Sequence, residues 1–438
     1  MKNVCLIFAL ILLISIVFKS NTYAQFDING QLVQRAEYRH GFGKLIPDTM
    51  DPSGFISQRF RLQSDYKSKC VELFGSIQDI RTWGSTSQTN TIDGYLSLHE
   101  GWADVTIDSS WRIKLGRQEL NYDNARFLGN LDWALQARSH DFALIKFSKR
   151  NHKLHFGGGF NQASETLYGG DYYKIVNQYK VAQMVWYNYK HKDFELSFLF
   201  WNNGKQDTIV GAKANVTRYS QTIGLPTIEY NFKKSNEISA FVYFQTGKDE
   251  RNKNLNAYDI NLQYSHLISL NKEKKTSVKV ILGAEMLSGT NSNDSSNNNY
   301  SFNPMYGTNH AHNGYMDYFF VGGRFENSVG LNDLYLKLRY EANKKWFFQT
   351  DIHNFIANAK VHNKANKLKD SQLGIELDLT MGIVFNEVVS LQAGYSQLLT
   401  SGTLKYLQSQ VASDNQSWAY LMLIIRPKSD KKFIGILN

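Results

Sequence analysis

The chain has 438 residues, a formal net charge of +10 and a composition rich in tyrosine, phenylalanine and glycine but poor in proline. This composition favours strands and loops over long helical runs. The positive balance favours anionic partners, but the lysines and arginines are scattered along the chain, which disfavours a nucleic-acid interface.

Residues 1–24 have the layout of a cleavable secretory signal, because a basic start is followed by an apolar run over residues 4–18. Cys5 lies deep in that run without a lipobox, so a lipoprotein anchor is not expected. Removal of the signal leaves about 414 residues with Cys70 as the single cysteine, which we interpret as an inert side chain on a strand. No later run of about 18 apolar residues occurs, so a membrane role would need a β-barrel.

A period-two alternation of apolar and polar residues recurs from end to end of the chain. In the first segment Phe26 and Ile28 share an apolar face, and Asp27 lies on the opposite, polar face. Pro226 weakens the prediction for residues 218–229, because proline cannot donate a backbone hydrogen bond. In all, the pattern predicts 18 strands, at residues 26–38, 55–67, 69–80, 95–107, 111–118, 139–148, 153–160, 178–189, 193–200, 218–229, 237–246, 257–268, 276–287, 330–341, 346–356, 371–381, 387–398 and 417–426.

Long connections and tight turns alternate strictly between these predicted strands. The long ones cover residues 40–54, 81–94, 119–138, 161–177, 201–217, 247–256, 288–329, 357–370 and 399–416. This asymmetry predicts an all-β fold, a transmembrane antiparallel up-and-down β-barrel of about 18 strands, with long extracellular loops and short periplasmic turns. A soluble sandwich or propeller would not sort its loops in this way. The predicted organisation is a signal peptide (1–24), an outer-membrane barrel (25–426) and a C-terminal tail (427–438).

Cations on the polar parity of the strands are expected to point into the lumen. An arginine or lysine at the bilayer midplane on the outer face would cost about 2–4 kcal/mol, so the charged parity should face inward. Arg112 and Lys114 share one such parity, and Arg138 and Lys146 share that of a neighbouring strand. A narrow pore lined by cations passes anions. The alternative, solvated lumen charges with no role in selectivity, stays open at this point.

Two separated stretches carry the most distinctive sequence patterns. Leu115–Asp141 contains a Gly-Arg-Gln strand end, an Asn-Ala-Arg-x-x-Gly loop at residues 124–129 and a closing Arg-x-x-Asp, in that order. A second block lies in the longest loop and joins Asn303–His310 to Gly314–Phe320. Both blocks resemble the alginate export family of outer-membrane β-barrels in sequence and in position.

The resemblance implies an 18-stranded barrel that exports an acidic polysaccharide through a basic constriction. It makes Arg117, from the Gly-Arg-Gln match, and Arg138, from the closing match, pore-lining candidates. Arg126, which lies between them in the same stretch, is expected to line the pore as well. Arg117 falls on the parity of the lipid face, so either Gly116 breaks the register or Arg117 sits above the apolar band. The chain departs from the family by ending on Gly-Ile-Leu-Asn instead of a terminal aromatic residue.

Metal and enzyme chemistry find little support in the sequence. The pairs His310/His312 and His152/His155 lack a third ligand at a diagnostic spacing. No Gly-x-Ser-x-Gly elbow occurs, and no histidine–serine pairing on adjacent strands predicts a hydrolase. We therefore expect neither a metal, nor a cofactor, nor enzymatic activity.

The sequence thus predicts an outer-membrane channel that passes anionic saccharides, such as an alginate-like polyuronate, or small anions by diffusion through a basic lumen. The expected partners are outer-membrane lipids, the anionic polysaccharide or solutes, and periplasmic export proteins. Two alternatives remain. One is a general non-selective porin, and the other is a surface adhesin or polysaccharide-binding barrel whose long aromatic loops carry the function.

Overall fold

Eighteen long strands, each hydrogen-bonded antiparallel to two neighbours, close into a barrel in the computed structural model of the chain. The first and last strands close the sheet through a register that runs from Leu32 opposite Ile425 to His40 opposite Ser417. The structure describes residues 25–90, 92, 94–168, 173, 175, 178–209, 214–343, 345–409, 411–429 and 431–435. The predicted signal peptide, residues 1–24, lies outside this range and stays a prediction.

The strands follow the chain in order around the barrel, with one short extra strand, β14, inside a loop. Their bounds are β1 (Gln25–His40), β2 (Ser53–Lys67), β3 (Val71–Thr82), β4 (Leu96–Thr106), β5 (Trp111–Gln118), β6 (His140–Lys149), β7 (His152–Phe160), β8 (Val181–His191), β9 (Phe194–Ile209), β10 (Ala214–Phe232), β11 (Asn236–Lys248), β12 (Asn254–Asn271), β13 (Thr276–Leu287), β14 (Asn298–Asn299), β15 (Leu331–Glu341), β16 (Trp346–Ile356), β17 (Gln372–Val384), β18 (Val389–Thr400) and β19 (Asn415–Ile425).

Every predicted segment corresponds to a strand, and the prediction of an 18-stranded barrel is confirmed. The register of β10 with its neighbours shifts around Pro226, where the ring nitrogen cannot join the ladder. Two predicted long connections are wrong in extent. Strand pairing covers much of residues 201–217, and the connection at 247–256 shrinks to residues 249–253. Their polar composition indicated loops, but a ladder of backbone hydrogen bonds continues above the apolar band without needing apolar side chains.

The outer and inner faces of the barrel separate cleanly by side-chain parity. Leu115 and Ile145 are 48% and 47% exposed in the isolated chain and face outward, whereas Phe142 and Leu144 are buried inside. Exposed leucine, isoleucine and phenylalanine side chains of this kind cover the outer face of most strands. Such a belt needs lipid as its solvent.

Helical structure is sparse in the described residues. One α-helix, Gly402–Leu407, begins after Ser401, whose side chain accepts hydrogen bonds from the backbone N–H groups of Thr403 and Leu404. A single 3-10 turn covers Asn309–Ala311. No helix in the described part of the chain is long and apolar enough to cross a membrane.

The barrel core is built by two loops that fold into the lumen from the long-loop end. We call residues 119–139, between β5 and β6, inner loop 1, and residues 288–330, between β13 and β15, inner loop 2. Buried aromatic residues come from both loops, among them Phe127 and Tyr306, which pack with Trp201 of the wall. The two loops together are called the plug below.

Candidate functional site: the filled lumen

The two inner loops pair with each other inside the barrel. The backbone N–H of Gly129 donates to the Tyr306 carbonyl at 2.9 Å, and that of Thr308 donates to Ala125 at 2.8 Å. Leu128 and Tyr306 form an isolated parallel bridge. The two stretches that the sequence singled out are therefore one structural unit, although they lie far apart in the chain.

Arg126 anchors the plug to the barrel wall. Its side chain is fully buried, with Nε 2.8 Å from Glu285 and 3.1 Å from Asp259, and it donates to Asn313 of inner loop 2 at 2.9 Å. Burial alone would lower the pKa of Arg126, but the carboxylates of Glu285 and Asp259 outweigh this effect and raise it. The expectation that Arg126 lines the pore is corrected, because its guanidinium is enclosed by these partners.

Arg138 joins the two inner loops near the C-terminal end of inner loop 1. Its Nη1 donates to the carbonyl of Gly307 at 3.0 Å and to that of Gly129 at 3.4 Å. Burial lowers the pKa of Arg138 to about 10. The arginine is therefore placed within the plug as a cross-link, away from the strand parity on which it was predicted to line the pore.

Arg117 lies on the outer face of the barrel. Its guanidinium bonds the directly opposed Asp141 at 3.0 Å, and the two side chains are 38% and 55% exposed. Gly116 does adopt a positive φ of 120°, yet Arg117 keeps the parity of the outward-facing Leu115. The expectation that Arg117 faces the pore is corrected, since the pair sits at the loop end of β5 and β6, above the apolar band.

The structure brings Arg112, Lys114 and Lys146 together on the inner wall, near the short-turn end. Arg112 lies directly opposite Lys146 on the neighbouring strand, and both bond Asp104, Arg112 at 2.9 Å. The ammonium group of Lys114 lies 3.7 Å from the ring centre of Trp102. We call these three residues the lower basic cluster. Their placement agrees with the parity argument, and Asp104 is a counter-charge that sequence reasoning missed.

A second set of cations, missed by the sequence reasoning, forms what we call the arginine wall, which consists of Arg35, Arg59, Arg61 and Arg426. All four side chains are buried in the middle of the lumen, on β1, on β2 and directly after the end of β19. Their signal was visible, because Arg35 lies on the polar parity of the first strand and Arg59 and Arg61 repeat at a spacing of two.

The arginine wall holds inner loop 1 at Asp132. Arg59 bonds one carboxylate oxygen of Asp132 at 2.8 Å, and Arg426 bonds the other at 2.7 Å. Burial alone would raise the pKa of Asp132, but the guanidinium groups of Arg59 and Arg426 outweigh it and hold the pKa well below its ordinary range. Arg35 donates to the Trp133 carbonyl at 2.7 Å and lies 4.4 Å from the centre of its ring.

Carboxylates cover the inner wall on the other side of the barrel. The buried acidic side chains of β12, β13 and β15–β17 are Asp259, Glu285, Asp333, Asp351, Glu376 and Asp378. Lys337 partners Asp351 at 3.2 Å, and His353 partners Asp333 at 2.9 Å. The inner surface is thus divided into a basic half, from β19 through β1 to β6, and an acidic half.

The C-terminal tail enters the lumen from the short-turn end. Gln392 of β18 donates to the Ile434 carbonyl at 3.0 Å and accepts from the Ile434 N–H at 3.1 Å, and Ser390 donates to the Lys432 carbonyl. The ring of Phe433 packs edge-on against Phe347, which is buried on the inner face of β16. The tail therefore fills lumen beneath the plug.

The plug leaves a cavity beside the basic half, which we call the vestibule. It has a volume of about 470 Å³, and its charged lining consists of Arg35, Arg39 and Arg81 together with Glu37 and Asp317. Glu37 bonds Arg35 and Arg39, each at 2.8 Å. A separate cavity of about 230 Å³ borders the acidic half, next to Glu285. Three cations and two carboxylates thus line the vestibule, whereas four carboxylates and a single lysine line the second cavity.

Three of the four histidines considered as metal ligands form side-chain hydrogen bonds of another kind. His310 bonds Asp317 at 2.6 Å and stacks on Trp133. His312 is enclosed in the plug, where burial holds its pKa well below the usual range. The other two bond tyrosine hydroxyls, as His152 does with Tyr187 and His155 with Tyr122.

A closed antiparallel barrel with an apolar belt and loops folded into its lumen is the architecture of bacterial outer-membrane porins, and the chain is an integral barrel of that membrane. Similar solved structures come from Pseudomonas aeruginosa. OpdQ is 12% identical, with a TM-score of 0.56 over 92% of this chain and 97% of its own. OccK3 (OpdO) is 13% identical, with a TM-score of 0.57 over 91% and 95%.

A third similar structure is OpdK with vanillate, 12% identical, with a TM-score of 0.54 over 91% of this chain and 98% of its own. At these identities the likeness concerns the fold. No family model matches the sequence, and a search of curated proteins finds no match. The outer-membrane barrel implied by the alginate export resemblance is thus supported, but membership of that family is not shown.

Proposed function

We propose that the protein is a channel that lets small anionic solutes diffuse across the outer membrane along the basic half of its lumen. The observation that supports this proposal is a series of cations at successive depths along one wall of the lumen. The arginines of the vestibule come first, the arginine wall follows at mid-depth, and the lower basic cluster lies near the short-turn end. A solute with one negative group would meet the exposed cations of the vestibule and of the lower basic cluster, and the buried arginine wall adds positive charge to the same side of the lumen between them.

Carboxylate-bearing solutes suit this wall best among anions. A guanidinium presents two parallel N–H groups that match the two oxygens of a carboxylate. Arg39 has a side chain one-third exposed at the vestibule, and Arg112 is similarly exposed in the lower basic cluster. Vanillate, which accompanies the OpdK structure, is itself a small aromatic carboxylate. A binding preference of this kind would separate the protein from a general non-selective porin.

Export of an alginate-like polyuronate is the less favoured form of the same proposal. A polymer needs a continuous open lumen, whereas both inner loops and the tail are packed inside the barrel through hydrogen bonds and aromatic contacts. The whole plug would have to leave the lumen, including the buried Arg126 with its two carboxylate partners. Small anions require only that water-filled gaps along one wall connect.

A charge-neutralisation experiment tests the proposal. The triple variant Arg112→Gln, Lys114→Gln and Lys146→Gln removes the lower basic cluster while keeping polar side chains of similar length. In a salt gradient across a planar bilayer, its reversal potential should shift toward cation preference, because Asp104 is left without its counter-charges. Water in the lumen screens these charges, so we expect a partial shift and not a full inversion.

The matched control removes the same charge outside the lumen. Lys149, Lys192 and Lys234 lie at exposed turns, and their triple change to Gln should leave the reversal potential at the wild-type value. An unchanged potential in the lumen variant, or an equal shift in both variants, would contradict the proposal. A folded barrel that never conducts would instead favour the adhesin alternative.

A further inference from the structure

A β-bulge at the loop end of β4 turns two consecutive residues toward the lumen. Glu100 pairs with Ser76 and Leu98 pairs with Ile77, so His99 has no partner across the ladder. His99 and Glu100 are both buried, whereas alternation would have placed one of them on the lipid face. A bulge re-aims side chains in this way, and bulges are common beside functional sites.

Inner loop 1 brings a third ligand-forming side chain to the same place. Glu119, its first residue, approaches His99 with 2.9 Å between Oε1 and Nε2. The ligand atoms of His99, Glu100 and Glu119 all lie within 4.8 Å of one another. Two atoms bound to one tetrahedral zinc ion lie about 3.4 Å apart, so the three side chains need only small adjustments to share a metal.

Neighbouring donors already orient both carboxylates. Oε1 of Glu100 accepts from the indole N–H of Trp102 at 3.1 Å and from the backbone N–H of Glu119 at 3.0 Å. Oε2 of Glu119 accepts from the side-chain amide of Asn130 at 3.0 Å. Each carboxylate is thus held through one oxygen and can offer the other, which is how outer-shell donors position the ligands of metal sites.

We propose that His99, Glu100 and Glu119 form a binding site for a divalent transition-metal ion, with Zn²⁺ as the best match. A histidine nitrogen together with two carboxylate oxygens is a donor set that suits zinc and its neighbours better than calcium or magnesium, which prefer oxygen alone. Two carboxylates supply the negative charge for a dication, although Lys114 and Arg61 interact with them and moderate the affinity. The bound ion would tie the start of inner loop 1 to β4.

Zinc binding to the purified, detergent-solubilised protein tests this site directly. Isothermal titration with ZnCl₂ should show one saturable site in the wild type, and the melting temperature should rise with added zinc. The variants His99→Ala and Glu119→Gln should lose both effects. Asn130→Ala, which removes an outer-shell donor, should weaken binding by about 10–100-fold without abolishing it.

Matched controls use residues of the same type outside the site. His152→Ala and Glu72→Gln should bind zinc as the wild type does, because neither belongs to the cluster. Equal zinc binding by His99→Ala and the wild type would overturn the proposal, as would the absence of saturable binding in a correctly folded wild type. Equal binding of CaCl₂ would overturn the assignment of the metal class. None of these readouts depends on whether the barrel conducts.

Discussion

Arg126 is a single residue on which the attachment of the plug inside the lumen depends. Its guanidinium is the counter-charge of Asp259 and Glu285, and none of the three side chains reaches water. Removing one partner of such a buried pair typically costs about 3–5 kcal/mol, because the remaining charges are left without compensation. The penalty should fall on the plug and not on the barrel, since the strands keep their own ladders.

The variant Arg126→Leu should therefore release the plug without unfolding the barrel. We expect faster proteolysis within inner loop 1 and a noisier open-channel current. Arg117→Leu is the matched control, because the exposed pair with Asp141 is worth only about 0–1 kcal/mol. A plug that resists protease equally in both variants would show that Arg126 is not the anchor.

Asp132 gives the lumen a defined response to acid. Its folded-state pKa lies below the ordinary value of about 3.9, so its contacts with Arg59 and Arg426 contribute stability that is complete above that value. This contribution is lost as the pH falls through the folded-state pKa. The attachment of inner loop 1 should thus persist to about pH 4 and weaken only in stronger acid.

Channel noise or protease sensitivity measured against pH checks this expectation. The variant Asp132→Asn removes the charge at every pH, so it should behave at neutral pH as the wild type does in strong acid. A wild type that loosens between pH 5 and 7 would contradict the assignment, because no change at Asp132 is expected there.

The strands could be predicted from the sequence almost completely, whereas the loops that fill the barrel could not. Alternation records which residues meet lipid, and it located even β10 with its proline. It gives no information about a loop that folds inward, because a residue such as Phe127 looks the same in a mobile loop as in a core. Arg126 and Arg138 were consequently placed in the pore, although both are bonded within the filled lumen. Arg117 of β5 was also placed in the pore, although it lies at the outer rim.

The C-terminal tail is an element whose role follows from its position. Because Phe433 and Ile434 fill the lumen beneath the plug, a chain ending at Arg426 should conduct more than the full chain. The double variant Phe433→Ala and Ile434→Ala should raise the conductance in the same direction. Ser429→Ala, whose side chain bonds only the neighbouring tail backbone, should conduct as the wild type does. A truncated chain of unchanged conductance would exclude the tail as an obstruction.

Topology can be tested with the native thiol. Cys70 is exposed in the turn between β2 and β3, rather than on a strand as the sequence suggested, and the barrel orientation places that turn in the periplasm. A membrane-impermeant maleimide should therefore leave the wild type unlabelled on intact cells. In a Cys70→Ser background, Ser295→Cys in inner loop 2 should be labelled. The reverse labelling pattern would show that the barrel has the opposite orientation in the membrane.

At the scale of the whole molecule, the proposed preference for anions depends on the division of the lumen into a basic and an acidic half. Opposite charges on facing walls create a field across the pore, and an anion is drawn to the side where the arginines lie. In the proposed channel, the plug and the tail narrow the passage and so keep a passing solute close to that wall. Charge partition and constriction together are what make a preference for anions possible.

The reversal potential of the purified wild-type protein in a planar bilayer, recorded under a potassium chloride gradient, tests this central claim most directly. The account predicts a potential displaced toward the chloride equilibrium value, and a weaker displacement at high salt, where the wall charges are screened. A potential at zero or displaced toward potassium would contradict it.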